Sequence, residues 1–178
     1  MNIFVSGGCK NGKSLHAQEL ARDMAADRGA ALYYVATMIP TDQEDRTRIR
    51  RHLAARDGWG FATLEQGTDL CALLERPDVD RNGVFLMDSV TALLSNEMFP
   101  PEGEYDPDAG ARVAADLERF ARGTGSTVFV SDYIYSDARV FDSVTENYRH
   151  ALALCDRTLA AVCDRVIETG FGFFKELK

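Results

Sequence analysis

Near the amino terminus stands Ile3-Phe4-Val5-Ser6-Gly7-Gly8-Cys9-Lys10-Asn11-Gly12-Lys13-Ser14, a short apolar run that passes directly into the pattern G-x-x-x-x-G-K-[ST]. Glycines let such a backbone bend sharply and turn several N–H groups toward one anion. In a loop of this kind Lys13 reaches the β- and γ-phosphates of a nucleotide, and the Ser14 hydroxyl takes one position on Mg2+. The residues after it carry Leu15, Leu20, Ala21 and Met24 at helical spacing. A helix starting here adds the partial positive charge of its N-terminus beneath the phosphates. Gly7, Gly8, Cys9, Lys10, Asn11, Gly12, Lys13 and Ser14 are therefore the candidate phosphate-binding residues. A chance glycine turn would not need the strand before it and the helix after it.

Outward from this loop the chain alternates between two patterns. Asn2–Ser6, Ala31–Thr37, Gly83–Met87, Thr127–Ser131 and Arg165–Thr169 are rich in Val, Ile, Phe or Tyr and read as strands. Lys13–Asp27, Gln43–Arg56, Ser89–Met98, Asp108–Arg122 and Ser143–Cys163 read as helices. Several strands are continuous apolar runs, as expected when a parallel sheet is covered on both faces. The expected fold is α/β: a P-loop NTPase-like three-layer sandwich with a mostly parallel central sheet, one domain over residues 1–178. Ligands in such folds bind outside the carboxyl ends of the strands. The clearest loop runs from Pro100-Pro101 through Glu104 to Pro107, a surface turn rather than a domain linker.

Composition narrows the function classes. A net charge of −8 on 178 residues argues against nucleic acid as the main partner, because a binding face would need a basic excess. No signal peptide or membrane span is expected, since the longest apolar runs are strand-sized. Cys9, Cys71, Cys155 and Cys163 show no C-x-x-C spacing, and the last two fall in a helical pattern, so buried free thiols are expected. A cytoplasmic protein fits these features.

Two further features bear on chemistry. Gly83-Val84-Phe85-Leu86-Met87 runs into Asp88. An acid closing a hydrophobic strand is the Walker B arrangement, in which the carboxylate holds Mg2+ directly or through water. The competing reading is a helix N-cap, a role that Ser89 could equally fill. In Arg46-Thr47-Arg48-Ile49-Arg50-Arg51-His52-Leu53-Ala54-Ala55-Arg56, a helix stacks Arg48, His52 and Arg56 on one face, with Ile49 and Leu53 on another. Flanking guanidiniums favour a neutral imidazole, which is what a phosphorus-attacking nucleophile requires. A solvated basic helix with an incidental histidine explains the same residues. His16, behind the loop, and His150, in a late helix, read as structural.

Taken together and in order, these segments resemble the bifunctional adenosylcobinamide kinase/adenosylcobinamide-phosphate guanylyltransferase family of cobalamin biosynthesis. The resemblance rests on Asn2–Gly8 into the loop, Tyr34-Val35-Ala36-Thr37, Arg48-Ile49-x-x-His52 with Arg56, Trp59 and Glu65. Asp88 through Phe99, with its Asn96-Glu97-Met98-Phe99, completes it. It implies two reactions. The terminal phosphoryl group of ATP or GTP passes to the aminopropanol hydroxyl of adenosylcobinamide. A histidine, here His52, then attacks the α-phosphorus of GTP and carries GMP to the product. By the same resemblance Lys13, His52 and Asp88 are catalytic, and Ser14 and Asp88 serve Mg2+. Ala36, Thr37, Met38, His52, Leu53, Ala54, Ala55, Arg56, Glu65 and Asp88 join the phosphate loop in lining the nucleotide site. A homotrimer is implied as well.

The chain also departs from the family pattern. Cys9-Lys10-Asn11 stands where Ala-Arg-Ser is usual, Asp88 where Glu is commoner, and Asp57 where proline follows Arg56. Ser131-Asp132-Tyr133-Ile134-Tyr135-Ser136-Asp137 replaces an Asn-Glu-Val-Gly stretch, and Gly170–Lys175 is altered too. Asp132 reads as a base or metal-side acid, or equally as a turn residue. Two other functions keep the same loop: a small-molecule kinase without guanylyl transfer, and a non-catalytic nucleotide-dependent binding protein.

Overall fold

Apolar runs of the kind described above pack best when stacked side by side, and here they do. The computed structural model describes residues 1–40, 43, 47, 49–50, 53–54, 56–136 and 138–178. The strands are β1 (Ile3–Gly7), β2 (Leu32–Ala36), β3 (Ala62–Glu65), β4 (Val84–Asp88), β5 (Ser126–Asp132), β6 (Arg165–Gly170) and β7 (Phe173–Glu176). They form one sheet in the order β3-β2-β4-β5-β1-β6-β7, parallel except for β7, which returns antiparallel on β6. The helices are α1 (Lys13–Arg28), α2 (Val90–Met98), α3 (Ala109–Gly123) and α4 (Ser143–Val162).

The five expected strands are all present. Missing from the expectation were β3, where only Leu64 is buried, and β7, where nothing is, so neither carries an apolar run. The helix expected over Gln43–Arg56 lies partly outside the described residues, as do Arg48, His52 and Ala55. Gln43, Thr47, Ile49, Arg50, Leu53 and Ala54 are helical, but Arg56 sits in the turn that follows.

Strand alternation sorts the side chains into two layers. Ile3, Val5, Leu32, Tyr34, Val84, Leu86, Val128 and Val130 face α1, while Phe4, Tyr33, Val35, Phe85, Met87 and Phe129 face α2, α3 and α4. Of the apolar residues expected on α1, Ala21 is buried and Leu20 and Met24 pack partly buried against the same core. Ala17, Ala21 and Ala25 are buried at i, i+4 spacing, whereas Leu15 is 53% exposed. Alanines let this helix lie close to the sheet; a leucine row there would hold it off. The cysteine expectation holds: Cys71, Cys155 and Cys163 are buried free thiols, and Cys9 is an exposed one.

The order of strands places the site. From β1 the chain moves out to β2, returns through β4 and β5 to β1, and crosses to β6 on its other side. The carboxyl end of β1 is thus the point where winding reverses, the usual place for a ligand crevice in such sheets. Continuing each alternation by one step puts Gly7, Ala36, Asp88 and Asp132 on the α1 face of that edge. Gly7 permits the closest approach: a Cβ there would lie 2.3 Å from the Thr169 carbonyl oxygen.

A buried carboxyl ties the segment after β5 to α4. Asp156 is 3% exposed; its Oδ2 accepts a 2.8 Å hydrogen bond from the Tyr135 hydroxyl. Its Oδ1 and the buried Ser131 hydroxyl have no partner among the described residues. Burial pushes the Asp156 carboxyl up to about 6, against the lowering effect of the nearby Ser131 and Tyr135 hydroxyls. The folded state therefore holds a proton that the unfolded chain releases near pH 4, and stability falls as pH rises from about 4 to about 6, by roughly 3 kcal/mol.

Two stability measurements follow. Gly7→Ala should lower the urea midpoint by the equivalent of about 1–3 kcal/mol, because the Thr169 backbone has to move. Asp156→Asn should gain on wild type between pH 4 and pH 6 and keep that gain above it. Parallel pH profiles of the two proteins would show that Asp156 does not titrate as its burial requires.

Candidate nucleotide-binding site

The glycine-rich loop leaves β1 at Gly7 and re-enters helix at Lys13. Gly12 takes φ 84° and Lys10 φ 58°, both left-handed, which is the bend the motif needs. Lys13 is 5% exposed and folds back over the loop. Its ammonium donates to the Gly8 carbonyl at 2.7 Å and to Asp132 Oδ1 at 2.8 Å. Two oxygens thus occupy the lysine where phosphate oxygens would. Ser14 is half-buried in the first turn of α1, and Cys9 and Lys10 are exposed at the loop's tip.

Further along the same edge lies a cavity of about 670 Å³. Its lining includes Tyr34, Ala36, Met38, Leu53, Arg56, Glu65 and Asp88, with Ile39, Pro40 and Ile49 adding apolar wall. Arg56 is its most informative member. The side chain is 6% exposed, its guanidinium lies 3.6 Å from the centre of the Tyr34 ring, and Nη2 donates to Thr63 Oγ1 at 3.2 Å. Nη1 is buried without a hydrogen-bond partner among the described residues. Burial pulls this guanidinium below its ordinary pKa, while Tyr34 and Asp88 oppose the shift. A buried cation with an open donor costs free energy until an acceptor arrives. Arg56 lines the cavity, so an acceptor entering it can meet this donor.

Asp88 joins the two regions. It closes β4, lies opposite Ala36 and Val130, and accepts a 3.1 Å bond from the Tyr34 hydroxyl. Its N-cap reading is displaced by Ser89, whose hydroxyl accepts from the Ala92 N–H and caps α2. Ser14 and Asp88 offer oxygen donors only, the kind Mg2+ takes when substrate phosphates complete its shell. Among the described residues no cluster of three or more His, Cys, Asp or Glu forms a dedicated metal cage.

The remaining expected residues divide. Thr37 does not line the cavity: it is fully buried beneath it, donating to the Ser89 carbonyl at 2.8 Å and accepting from the Ser89 N–H at 2.7 Å. Ala54 is exposed and outside the lining. No phosphate-loop residue lines the cavity either, so the loop and the cavity are neighbours along one edge. His16 stacks on Phe174 at 3.9 Å, and His150 is exposed on α4.

Other contributors were not legible as functional from the chain. Tyr34 stands in the sequence only as a member of the Tyr34-Val35-Ala36-Thr37 motif that closes a strand, yet it bridges Arg56 and Asp88. Asn96 donates to the carbonyls of Thr37 at 2.7 Å and Gly67 at 2.8 Å, and Glu97 accepts from the Asp69 N–H at 2.7 Å. Both hold the cavity's rim in place. Their only signal in the sequence was membership of a motif.

Known proteins are similar to this chain over most or all of its length. The bifunctional adenosylcobalamin biosynthesis protein CobU of Salmonella typhimurium is 31% identical, over 97% of this chain and 98% of that protein. CobP of Pseudomonas aeruginosa, of the same description, is 29% identical over 100% of this chain and 98% of its own length. The Escherichia coli CobU match is 35% identical over 61% of this chain and 56% of that protein. Among solved structures, the ATPase domain of G40P superposes with a TM-score of 0.51 at 12% identity, covering 94% of this chain and 68% of that one. That likeness concerns the fold alone. The family model described as cobinamide kinase / cobinamide phosphate guanyltransferase matches residues 3–177, and the chain belongs to that enzyme family.

Proposed function

We propose that this chain phosphorylates the aminopropanol hydroxyl of adenosylcobinamide and then passes GMP from GTP to the product through a guanylyl group on His52. The supporting observation is a preformed phosphate cradle and, on the same sheet edge, a cavity with an open guanidinium donor. The triphosphate of ATP or GTP sits on Gly7–Ser14, with Lys13 exchanging its two oxygens for those of the phosphates. Ser14 and Asp88 hold Mg2+, which neutralises phosphate charge when bound.

The cavity has the volume of a small-molecule site and takes the guanine base. Arg56 donates to the O6/N7 edge, as arginine does wherever it reads guanine, and Glu65 accepts from N1–H and the 2-amino group. Adenine presents an amino group to Arg56 and no N1–H to Glu65. Arg50 and Leu53, which flank His52 in the chain, line this cavity and support placing the nucleophile at its edge. The imidazole nitrogen attacks the α-phosphorus and pyrophosphate leaves. An oxygen of adenosylcobinamide phosphate then attacks the same phosphorus and the N–P bond breaks. Positioning and charge neutralisation carry both transfers. The working unit is a homotrimer in the cytoplasm, as the family resemblance implies, and light scattering tests the trimer.

Labelling decides between this reading and a kinase alone. GTP radiolabelled at its α-phosphate should leave an acid-labile, alkali-stable label on denatured wild type and none on His52→Ala. His52→Ala should still phosphorylate adenosylcobinamide, whereas Lys13→Ala should lose both activities. Loss of phosphorylation in His52→Ala to the extent seen in Lys13→Ala would contradict separate roles. Glu65→Gln should reduce the preference for GTP over ATP in labelling by about 10–100-fold, the worth of one paired contact to a base edge. Unchanged selectivity would remove Glu65 from base recognition.

A further inference from the structure

We propose that Asp132 is the base that receives the proton of the acceptor hydroxyl during phosphorylation, an assignment that rests on the kinase reading above. Asp132 closes β5, the strand next to the phosphate-loop strand, and is the register partner of Gly7. Its carboxylate touches Lys13 at 2.8 Å, a contact between residues 119 positions apart. The backbone around it is pinned. The Asp132 N–H donates to Thr91 Oγ1 at 3.0 Å, the Thr91 carbonyl accepts from the Tyr148 hydroxyl at 3.0 Å, and the Tyr133 N–H donates to the Gly7 carbonyl at 2.9 Å. Such a group meets the requirement that a catalytic side chain be held before substrate arrives.

Lys13 marks where the β- and γ-phosphates lie, so Asp132 stands one ammonium away from the transferred group. A carboxylate facing phosphate oxygens with nothing between them is repelled. An alcohol between them resolves the conflict: its hydrogen points at the carboxylate and its oxygen at phosphorus. Asp88 is less suited, being one strand further from the loop with Oδ2 already accepting from Tyr34. In the step, the acceptor O–H bond breaks and its proton passes to a carboxylate oxygen of Asp132. The new O–P bond forms as the bond from the γ-phosphorus to the bridging oxygen breaks, its electron pair leaving on the nucleoside diphosphate. Asp132 afterwards gives the proton to solvent. No other reactant is needed.

The test compares Asp132→Asn and Asp132→Glu with wild type in the full-length protein, using adenosylcobinamide and Mg2+ with ATP or GTP. Asp132→Asn should lose about 10²–10⁴-fold in kcat. Its affinity for a fluorescent nucleotide should hold within about threefold or tighten, because Lys13 is freed, and this also reports a folded site. Asp132→Glu should recover at least about tenfold of the lost kcat. An Asn variant with near wild-type kcat overturns the assignment. So does a loss confined to nucleotide affinity or KM, which would make Asp132 only a holder of Lys13. Wild type that binds nucleotide yet phosphorylates no adenosylcobinamide overturns the kinase reading itself, and that result is distinct because no variant then differs from it.

Discussion

No side chain fits between β1 and β6 at Gly7, and the rest of the site follows from that contact. The Thr169 carbonyl would lie 2.3 Å from any Cβ added there, so the two strands approach as closely as backbones allow. β1 can therefore run to the very edge of the sheet, with Gly7 paired to Asp132 on one side and Thr169 on the other. The glycine loop begins at that edge and turns under the start of α1. Had β1 ended earlier, Lys13 and Asp132 would not share a hydrogen bond.

Charge along the edge is arranged against the character of the whole chain. The protein carries a net charge of −8, yet two of the buried side chains at this edge are cations, Lys13 and Arg56. Each has a carboxylate in its surroundings: Asp132 in direct contact with Lys13, and Asp88 near Arg56, linked through the Tyr34 ring and hydroxyl. An anionic ligand thus meets local positive charge within an acidic surface. Desolvation strengthens each of these contacts relative to the same pair in water. The cations are held in place by partners that a phosphate or a base edge can replace or complement.

How much of this could be read from the chain depends on how local each cause is. Gly7 through Ser14 was legible because the bend, the lysine and the helix start are consecutive. The five long strands were legible because both sheet faces are covered and most of these strands carry runs of Val, Ile, Phe, Leu or Tyr. β3 and β7 were not, since each is a four-residue edge strand held mainly by backbone pairing. On α1 the helical spacing finds Leu20, Ala21 and Met24 but not Ala17 and Ala25, because alanines give little hydrophobic signal. Asp132 could not be decided locally. An acid at a strand end suits a turn as well as a base, and its Lys13 partner is 119 residues away. Arg56 looked like one of several arginines on a basic helix. Only the fold shows that it sits in the turn beyond, stacked on Tyr34 and shut away from water.

The two cations also differ in what ligand binding must do to them. Lys13 has both available oxygens engaged, so a phosphate has to displace existing bonds, and the net gain is the difference between two sets of charge-assisted contacts. Arg56 Nη1 has no hydrogen-bond partner to give up among the described residues, so an acceptor reaching it recovers a desolvation cost already incurred on folding. Affinity at the cavity therefore depends on presenting an acceptor in one place, whereas affinity at the loop depends on charge. On the proposed reading, that division lets the loop take any triphosphate while the cavity discriminates between bases. A member of a kinase and guanyltransferase family has reason to separate the two, because one reaction consumes a γ-phosphoryl group and the other requires a particular nucleotide.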